Sequence, residues 1–208
     1  HGWPECCGGR IVNCSSGGKV SGDWYVGGLV GYNCEGSISS SYCTGTIAGN
    51  ETVGGLIGFN GGSIVLSCST ADVEGVLEVG GLVGSNGFLS GMTAKSVISR
   101  GTITMSYSAG AVHGDYAGGL VADCDSSPWG ICDTIALSFW DSESSGQATS
   151  AGGTGLTTTE MKTATTFLEA GWDFIDETDN GTDDIWWIDE GQDYPRLWWE
   201  KERREKGE

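Results

Sequence analysis

Three near-copies of one nine-residue phrase constrain this chain more than any other feature: YVGGLVGYN at 25–33, TVGGLIGFN at 52–60 and EVGGLVGSN at 78–86. Aligned on the glycine pair, V-G-G-L recurs at Val26, Val53 and Val79 and returns as A-G-G-L at Ala117, with spacings of 27, 26 and 38 residues. A second phrase keeps the same clock: IVNCSSGGKVSG from Ile11, ISSSYCTGTIAG from Ile38, IVLSCSTADVEG from Ile64, ITMSYSAGAVHG from Ile103 and a degraded IALSFWDSESSG from Ile135. Periods of this length belong to stacked supersecondary units, none of which can bury its apolar face alone. Each unit reads as two or three short strands punctuated by Gly-Gly and Asn-Gly turns, the latter at Asn60-Gly61 and Asn86-Gly87, and no helical period precedes residue 156.

A unit of this size suits one winding of a β-solenoid, climbing by about 4.8 Å per turn, the spacing of paired strands. The expected fold is therefore all-β, a β-solenoid (β-helix-like) of about 4–5 coils. Leu29, Leu56, Leu82 and Leu120 would form an internal ladder, each contributing roughly 1.5–3 kcal/mol if fully buried. Glycine inside an apolar run costs conformational entropy. Its retention points to a narrow coil, where only glycine leaves room for the neighbouring coil's leucine and allows a tight bend.

The runs GGLVG, GGLIG and GGLVG, each followed by Asn and then by an Ile-x-x-Ser-like strand, resemble the GLUG repeat, named for its Gly-Leu-x-Gly core. The resemblance spans about residues 11 to 122. It implies membership of large secreted or surface bacterial proteins, adhesins and immunoglobulin-A-cleaving proteases among them, in which the repeat is accessory and not catalytic. Three departures stand out: Ala122 replaces the last glycine of the fourth copy, about twelve extra residues interrupt the third unit, and the cysteines lie outside the family pattern.

The cysteines, at 6, 7, 14, 34, 43, 68, 124 and 132, include no CxxC pair, and His1 and His113 are the only histidines. Disulfides in an oxidising compartment fit better than thiolate-metal chemistry. Cys7 and Cys34 each stand four residues before the isoleucine of their phrase, the same phase in successive coils, so a Cys7–Cys34 bond is expected. Cys124 and Cys132 would close the loop DCDSSPWGICD. Pairing of Cys6, Cys14, Cys43 and Cys68 does not follow from phase. A net charge of −18 argues against nucleic acid. The apolar stretches fall short of the roughly 20 residues a membrane helix needs, and no basic-then-apolar leader opens the sequence. A secreted or cell-surface chain without membrane insertion is expected.

Composition changes near residue 139. Residues 1–138 hold 29 glycines and 11 acids; residues 139–208 hold 8 glycines, 17 acids and six of the nine tryptophans. The expected division is a repeat domain over 1–138, a tryptophan-rich acidic cap over 139–200 and a charged, solvated tail over 201–208. The cap's one short helix is read from TTTEMKTATTFLEAG, with Thr157 and Glu160 as a capping box, Met161, Ala164 and Leu168 on one face, and Gly171 as its end. GWDFI, DIWWID and YPRLWWE read as short strands. The segment is similar to one that commonly follows GLUG arrays, where it has no assigned activity. Its physical role would be to cover the open end of the solenoid.

Two sites compete with simpler readings. Trp186, Trp187, Trp198 and Trp199 could stack on sugar rings, although neighbouring residues of a strand face opposite sides. Asp176, Asp179, Asp183 and Asp184 lie in an acidic run around Asn180-Gly181 that suits calcium in composition, while Trp187 stands where an EF-hand needs glutamate. Apart from calcium no cofactor is implied. No nucleophile elbow, HExxH or Walker loop occurs, and the expected function is a non-catalytic structural or adhesive module stacking head-to-tail into a filament. Its partners would be itself, other surface proteins or glycans; the alternatives are a glycan-binding accessory module and a solenoid hydrolase. Asn13, Asn50 and Asn180 head N-x-S/T sequons.

Overall fold

A computed structural model describes residues 8–89, 98–99, 101–124 and 135–206. The chain divides into two compact units, His1–Gly155 and Leu156–Glu208. The first is a parallel β-solenoid of five walls. The first wall stacks Arg10–Val12, Ser37–Ser39, Ser63–Val65, Thr102–Thr104 and Ile135–Ala136; the second runs from Ser15–Ser16 through Tyr42–Cys43, Cys68–Ser69 and Tyr107–Ser108 to Phe139–Asp141. The third holds Lys19–Ser21, Thr46–Ala48, Asp72–Glu74 and Val112–His113; the fourth, Trp24–Gly27, Glu51–Gly54, Leu77–Gly80 and Ala117–Gly118; the fifth, Val30–Asn33, Ile57–Asn60, Val83–Asn86 and Val121–Asp123. The sequence repeat is the structural register: Ile11 pairs with Ile38, Ile38 with Ile64, Ile64 with Ile103 and Ile103 with Ile135.

The leucine ladder is present. The Leu29 N–H donates to the Leu56 carbonyl, Leu56 to Leu82 and Leu82 to Leu120, each at 2.9 Å. Leu56, Leu82 and Leu120 are fully buried. Leu29, in the first coil, is only partly so. The extra residues of the third unit contribute an antiparallel strand pair, Phe88–Leu89 with Ile98–Ser99, between the fifth wall of coil 3 and the first wall of coil 4.

The glycines do make a narrow coil, but leucine is not what they make room for. A methyl on Gly28, Gly55 or Gly81 would strike the next coil's glycine carbonyl at 2.2–2.4 Å and a second-wall side chain, Cys43, Ser69 or Ser108 respectively. On Gly27, Gly54 or Gly80 it would strike the carbonyl three residues on, at 1.8–2.1 Å. The final glycine lies against the fourth wall: a methyl on Gly58 would sit 2.6 Å from the Tyr25 carbonyl carbon. None of these glycines has a positive φ. Space, not left-handed backbone, is what the motif requires. Left-handed corners are instead made by side-chain-bearing residues stacked in columns, Asn13, Ser40, Leu66, Met105 and Leu137 in one and Tyr25, Thr52 and Glu78 in another, at φ of 47–56°.

Two buried polar ladders run beside the leucines. Asn33 Nδ2 donates to Asn60 Oδ1 and Asn60 Nδ2 to Asn86 Oδ1, both at 2.8 Å, and Asn86 Nδ2 ends the series on the Gly101 carbonyl. Ser41, Ser67, Ser106 and Ser138 each accept the N–H of the residue one coil earlier, in series from Cys14, and each hydroxyl donates to the carbonyl two residues back. Interior polarity is thus satisfied coil by coil, as burial demands.

The last coil is covered from within the same unit. After Phe139–Asp141, Asp141 caps helix α1 (Ser142–Ser145) through its carboxylate. The Gln147 side-chain amide donates to the Val112 carbonyl on the third wall, Gly119 N–H donates to Thr149 O on the fourth, and Ser150 Oγ accepts from Leu120 and Val121 N–H before the fifth. Thr154–Leu156 lies beside Phe139–Asp141 on the second. Residues 139–155 thus run along the last coil, and the compact units divide at Gly155.

The second unit holds α2 (Thr158–Met161), α3 (Ala164–Glu169) and α4 (Trp198–Lys206), with Trp186–Trp187 antiparallel to Arg196–Leu197. The Thr157–Glu160 capping box forms as expected. The single helix does not: it breaks at Lys162-Thr163, where the Thr163 hydroxyl bonds back to the Thr159 carbonyl. The break shifts the phase, so Phe167 and Met161 are buried while Leu168 is half-buried. YPRLWWE is a two-residue strand leading into α4, and the expected solvated tail is helical to Lys206.

Candidate interaction surface

The outward side of the fourth and fifth walls gathers the exposed aromatic residues. Register places Val26, Val53, Val79 and Ala117 in one inward column; the residues before the first three, Tyr25, Thr52 and Glu78, share a left-handed backbone in the adjacent column, where Tyr25 is exposed and Thr52 is buried. On the fifth wall Tyr32, Phe59, Ser85 and Asp123 are aligned. The two columns touch. Tyr25 and Tyr32 meet edge to face at 5.3 Å between ring centroids, and Tyr32 stacks on Phe59 at 4.5 Å with 13° between planes. Phe59 is buried by this stack, while Tyr25 is 47% and Tyr32 51% exposed; neighbouring Trp24 is 72% and Tyr116 70% exposed.

Below the aromatic residues the same columns turn polar. Thr52 Oγ1 donates to Glu78 Oε2 at 2.7 Å. Burial pushes the Glu78 carboxyl above its ordinary range; the Thr52 hydroxyl opposes the shift, and the negative charges of Asp123 and Glu51 add to it. Burial, with Tyr25 beside it, likewise raises the Tyr32 phenol. The strip therefore runs from the rings of Tyr25, Tyr32 and Phe59 in coils 1 and 2 to the carboxylates of Glu78 and Asp123 in coils 3 and 4.

The sites expected from sequence fare differently. Trp186 is fully buried against Trp172, ring centroids 4.7 Å apart, within a cluster that includes Phe167 and Phe174, so it offers no face to a sugar. Trp187 is half-buried and its indole N–H donates to the Leu197 carbonyl; this pair obeys the strand alternation. Trp198 and Trp199 open helix α4, Trp198 exposed and Trp199 half-buried. Around Asp176, Asp179, Asp183 and Asp184 the acids serve the backbone: Glu177 accepts from the N–H groups of Phe174, Asp179 and Asn180, and Asp173 from that of Asp183. Desolvation resists ionisation of Glu177, yet those three donors outweigh it and lower its carboxyl. Among the described residues no three His, Cys, Asp or Glu side chains group to hold a metal ion.

Cys34 and Cys124 are disulfide-bonded; Cys7 and Cys132, their expected partners, lie outside the described residues. Cys14, Cys43 and Cys68 are thiols. Register explains why these three do not pair with one another: Cys68 aligns with Tyr42, Cys43 with Ser69 and Ser16, and Cys14 with the serine ladder, so each holds a different column. Burial pushes the Cys43 thiol to about 11, against a hydrogen bond with the Thr44 backbone that lowers it.

The solenoid register also organises the likeness to known proteins. Residues 22–48, one turn from the corner before Trp24 to the third wall of coil 2, match the GLUG motif. The chain carries the GLUG motif. A protein of Evansella cellulosilytica, provisionally named a Gly-rich membrane protein, is 36% identical over 96 residues, 46% of this chain. The chain spans only about a tenth of that relative's length. No solved structure matches. Within the described residues no helix is long and apolar enough to cross a membrane.

The strip on this GLUG solenoid was not singled out from sequence. Its signal was available in the alignment: the position before each V-G-G-L valine varies as Tyr, Thr and Glu, and a variable polar column in an otherwise strict repeat marks an outward face.

Proposed function

We propose that this chain is a non-catalytic, extracellular repeat module, a rigid segment that presents an adhesive face at the cell surface. The observation that carries this reading is the unbroken series of internal ladders. Leucine, asparagine and serine columns continue from coil to coil and commit the interior to stiffness, leaving function to the outside. The GLUG match and the glycine-rich membrane-protein relative support a surface repeat protein and suggest no enzyme family.

Self-association follows from the difference between the ends. Ile11, Val20, Leu29 and Val30 of the first coil are only partly buried, whereas Ile38, Ile47, Leu56 and Ile57 of the second have almost no accessible surface. The other end of the coil stack is occupied by residues 144–151 of the same chain. Contact between copies is therefore read through the partly buried first coil. The test is surface display of the chain on a non-adherent bacterium. Retention on host cells or matrix, together with labelling of the chain by an impermeant reagent, is the expected result; no retention under any condition overturns the adhesive role.

A further inference from the structure

The adhesive reading leaves the ligand open, and the strip on the fourth and fifth walls narrows it. We propose that this strip binds a linear, uncharged glycan laid along the solenoid axis, with Tyr25 and Tyr32 stacking on sugar rings at one end, Tyr116 at the other, and the Glu78 and Asp123 carboxylates receiving hydroxyl groups. This inference rests on the adhesive reading and names its partner.

Three observations carry it. The first is exposure: Trp24, Tyr25, Tyr32 and Tyr116 are among the most exposed large hydrophobic side chains described, and all lie on or beside these columns. Aromatic residues with one apolar face and one polar tip suit a ligand that is itself apolar on ring faces and polar at its edges. The second is charge. Asp123 and Glu51 both place negative charge against Glu78 here, and the chain carries −18 overall. That field repels sulfated and uronate-rich chains and leaves neutral sugars, whose hydroxyls donate to carboxylates. The third is periodicity. Coils rise by about 4.8 Å, so Tyr25 in coil 1 and Tyr116 in coil 4 stand about 14 Å apart along the axis. A repeating polymer can lie over such a strip in register, whereas a compact ligand meets only one end of it.

In the second unit Trp186 is buried and the Trp187 indole N–H donates to the Leu197 carbonyl. The strip also has a built-in control. Coil 2 carries Thr52 where coil 1 has Tyr25, at nearly the same positive φ, and coil 3 carries Ser85 where coil 1 has Tyr32. Tyr25→Thr and Tyr32→Ser therefore install residues that the same columns already accept.

The experiment is titration calorimetry of the full chain with cellohexaose, xylohexaose and chitohexaose, using a heparin hexasaccharide as the anionic control. The expected result is binding of at least one neutral hexasaccharide, weakened about tenfold in the Tyr25→Thr/Tyr32→Ser protein with an unchanged far-ultraviolet spectrum, and no heat from heparin. Binding of no neutral hexasaccharide, equal binding by the double variant, or heparin binding as tight as the neutral chains would each overturn the proposal. The display assay separates the two levels: retention that survives the double substitution and excess free hexasaccharide sinks the glycan strip alone, whereas absence of retention in the unaltered chain sinks the adhesive reading beneath it.

Discussion

The two units of this chain are held together by opposite means. In the solenoid, side-chain hydrogen bonds recur at a separation of 26 or 27 residues: Asn33 to Asn60, Asn60 to Asn86, Asn50 to Asp23, Thr52 to Glu78. In the second unit most are local, reaching back three or four residues: Thr157 with Glu160, Glu177 with Phe174 and Asn180, Arg196 and Leu197 with Glu200. One unit repeats a single solution, so an error in one coil is felt by the coils above and below. The other assembles caps and turns around a cluster of Trp172, Trp186, Phe167 and Phe174, each element used once.

The contrast is sharpest at glycine. Gly55→Ala should cost about 3 kcal/mol, because its methyl meets the Gly81 carbonyl at 2.2 Å and the Ser69 hydroxyl at 2.1 Å. Gly171→Ala in the second unit meets nothing within 4 Å, although its φ is +83°, and should cost about 1 kcal/mol through backbone strain alone. Thermal melts of the two variants measure the difference; equal costs would mean that close packing does not govern the solenoid. Next comes Asn60→Ala, which removes one partner each from Asn33 Nδ2 and Asn86 Oδ1, leaving Asn33 its bond to the Gly36 carbonyl, together with the acceptor of the Gly62 N–H. It should cost about 2 kcal/mol, and hydrogen exchange should rise in coils 1 and 3 as well as in coil 2.

Acid should separate the units. The lowered carboxyls of Glu160 and Glu177 contribute stability that is present above pH 4.5, the ordinary glutamate value, and is lost as pH falls through their depressed values. Glu200 runs the other way. Burial raises it, against the Leu197 N–H and Arg196, so its contribution is present below pH 4.5 and fades as pH rises through its raised value. Glu177→Gln should therefore blunt the acid sensitivity of the second unit, and Glu200→Gln should enhance it, read as melting temperature between pH 3 and 6 (about the range flanking these carboxyls). The smallest effect is chemical. Cys14 is exposed and Cys43 buried with a thiol raised to about 11, so a maleimide at neutral pH should label Cys14 in the folded chain and Cys43 only after unfolding.

The second unit was harder to read from sequence for the same reason that it is built differently. Thr157 and Glu160 announced their capping box, since both partners lie within one turn. The break after Met161 could not be anticipated, because it depends on Thr163 choosing the Thr159 carbonyl over solvent and on Phe167 finding Trp172. The tryptophan pairs illustrate the limit. Alternation put one of Trp186 and Trp187 inside, whereas at Trp198 and Trp199 the backbone is helical and strand alternation does not apply.

For the solenoid the division is plain. Repetition alone determined the winding, its period, the leucine column and the alignment of each isoleucine with the next, because an in-register parallel stack is the arrangement in which every copy buries the same face. The tertiary structure decided which copies are fully covered, what the glycines accommodate, that Asn60 and Asn86 turn inward as a ladder, and that Tyr25, Tyr32, Glu78 and Asp123 meet on one strip. Those outcomes depend on walls closing over one another in three dimensions, and a linear period carries no information about which wall stands opposite which.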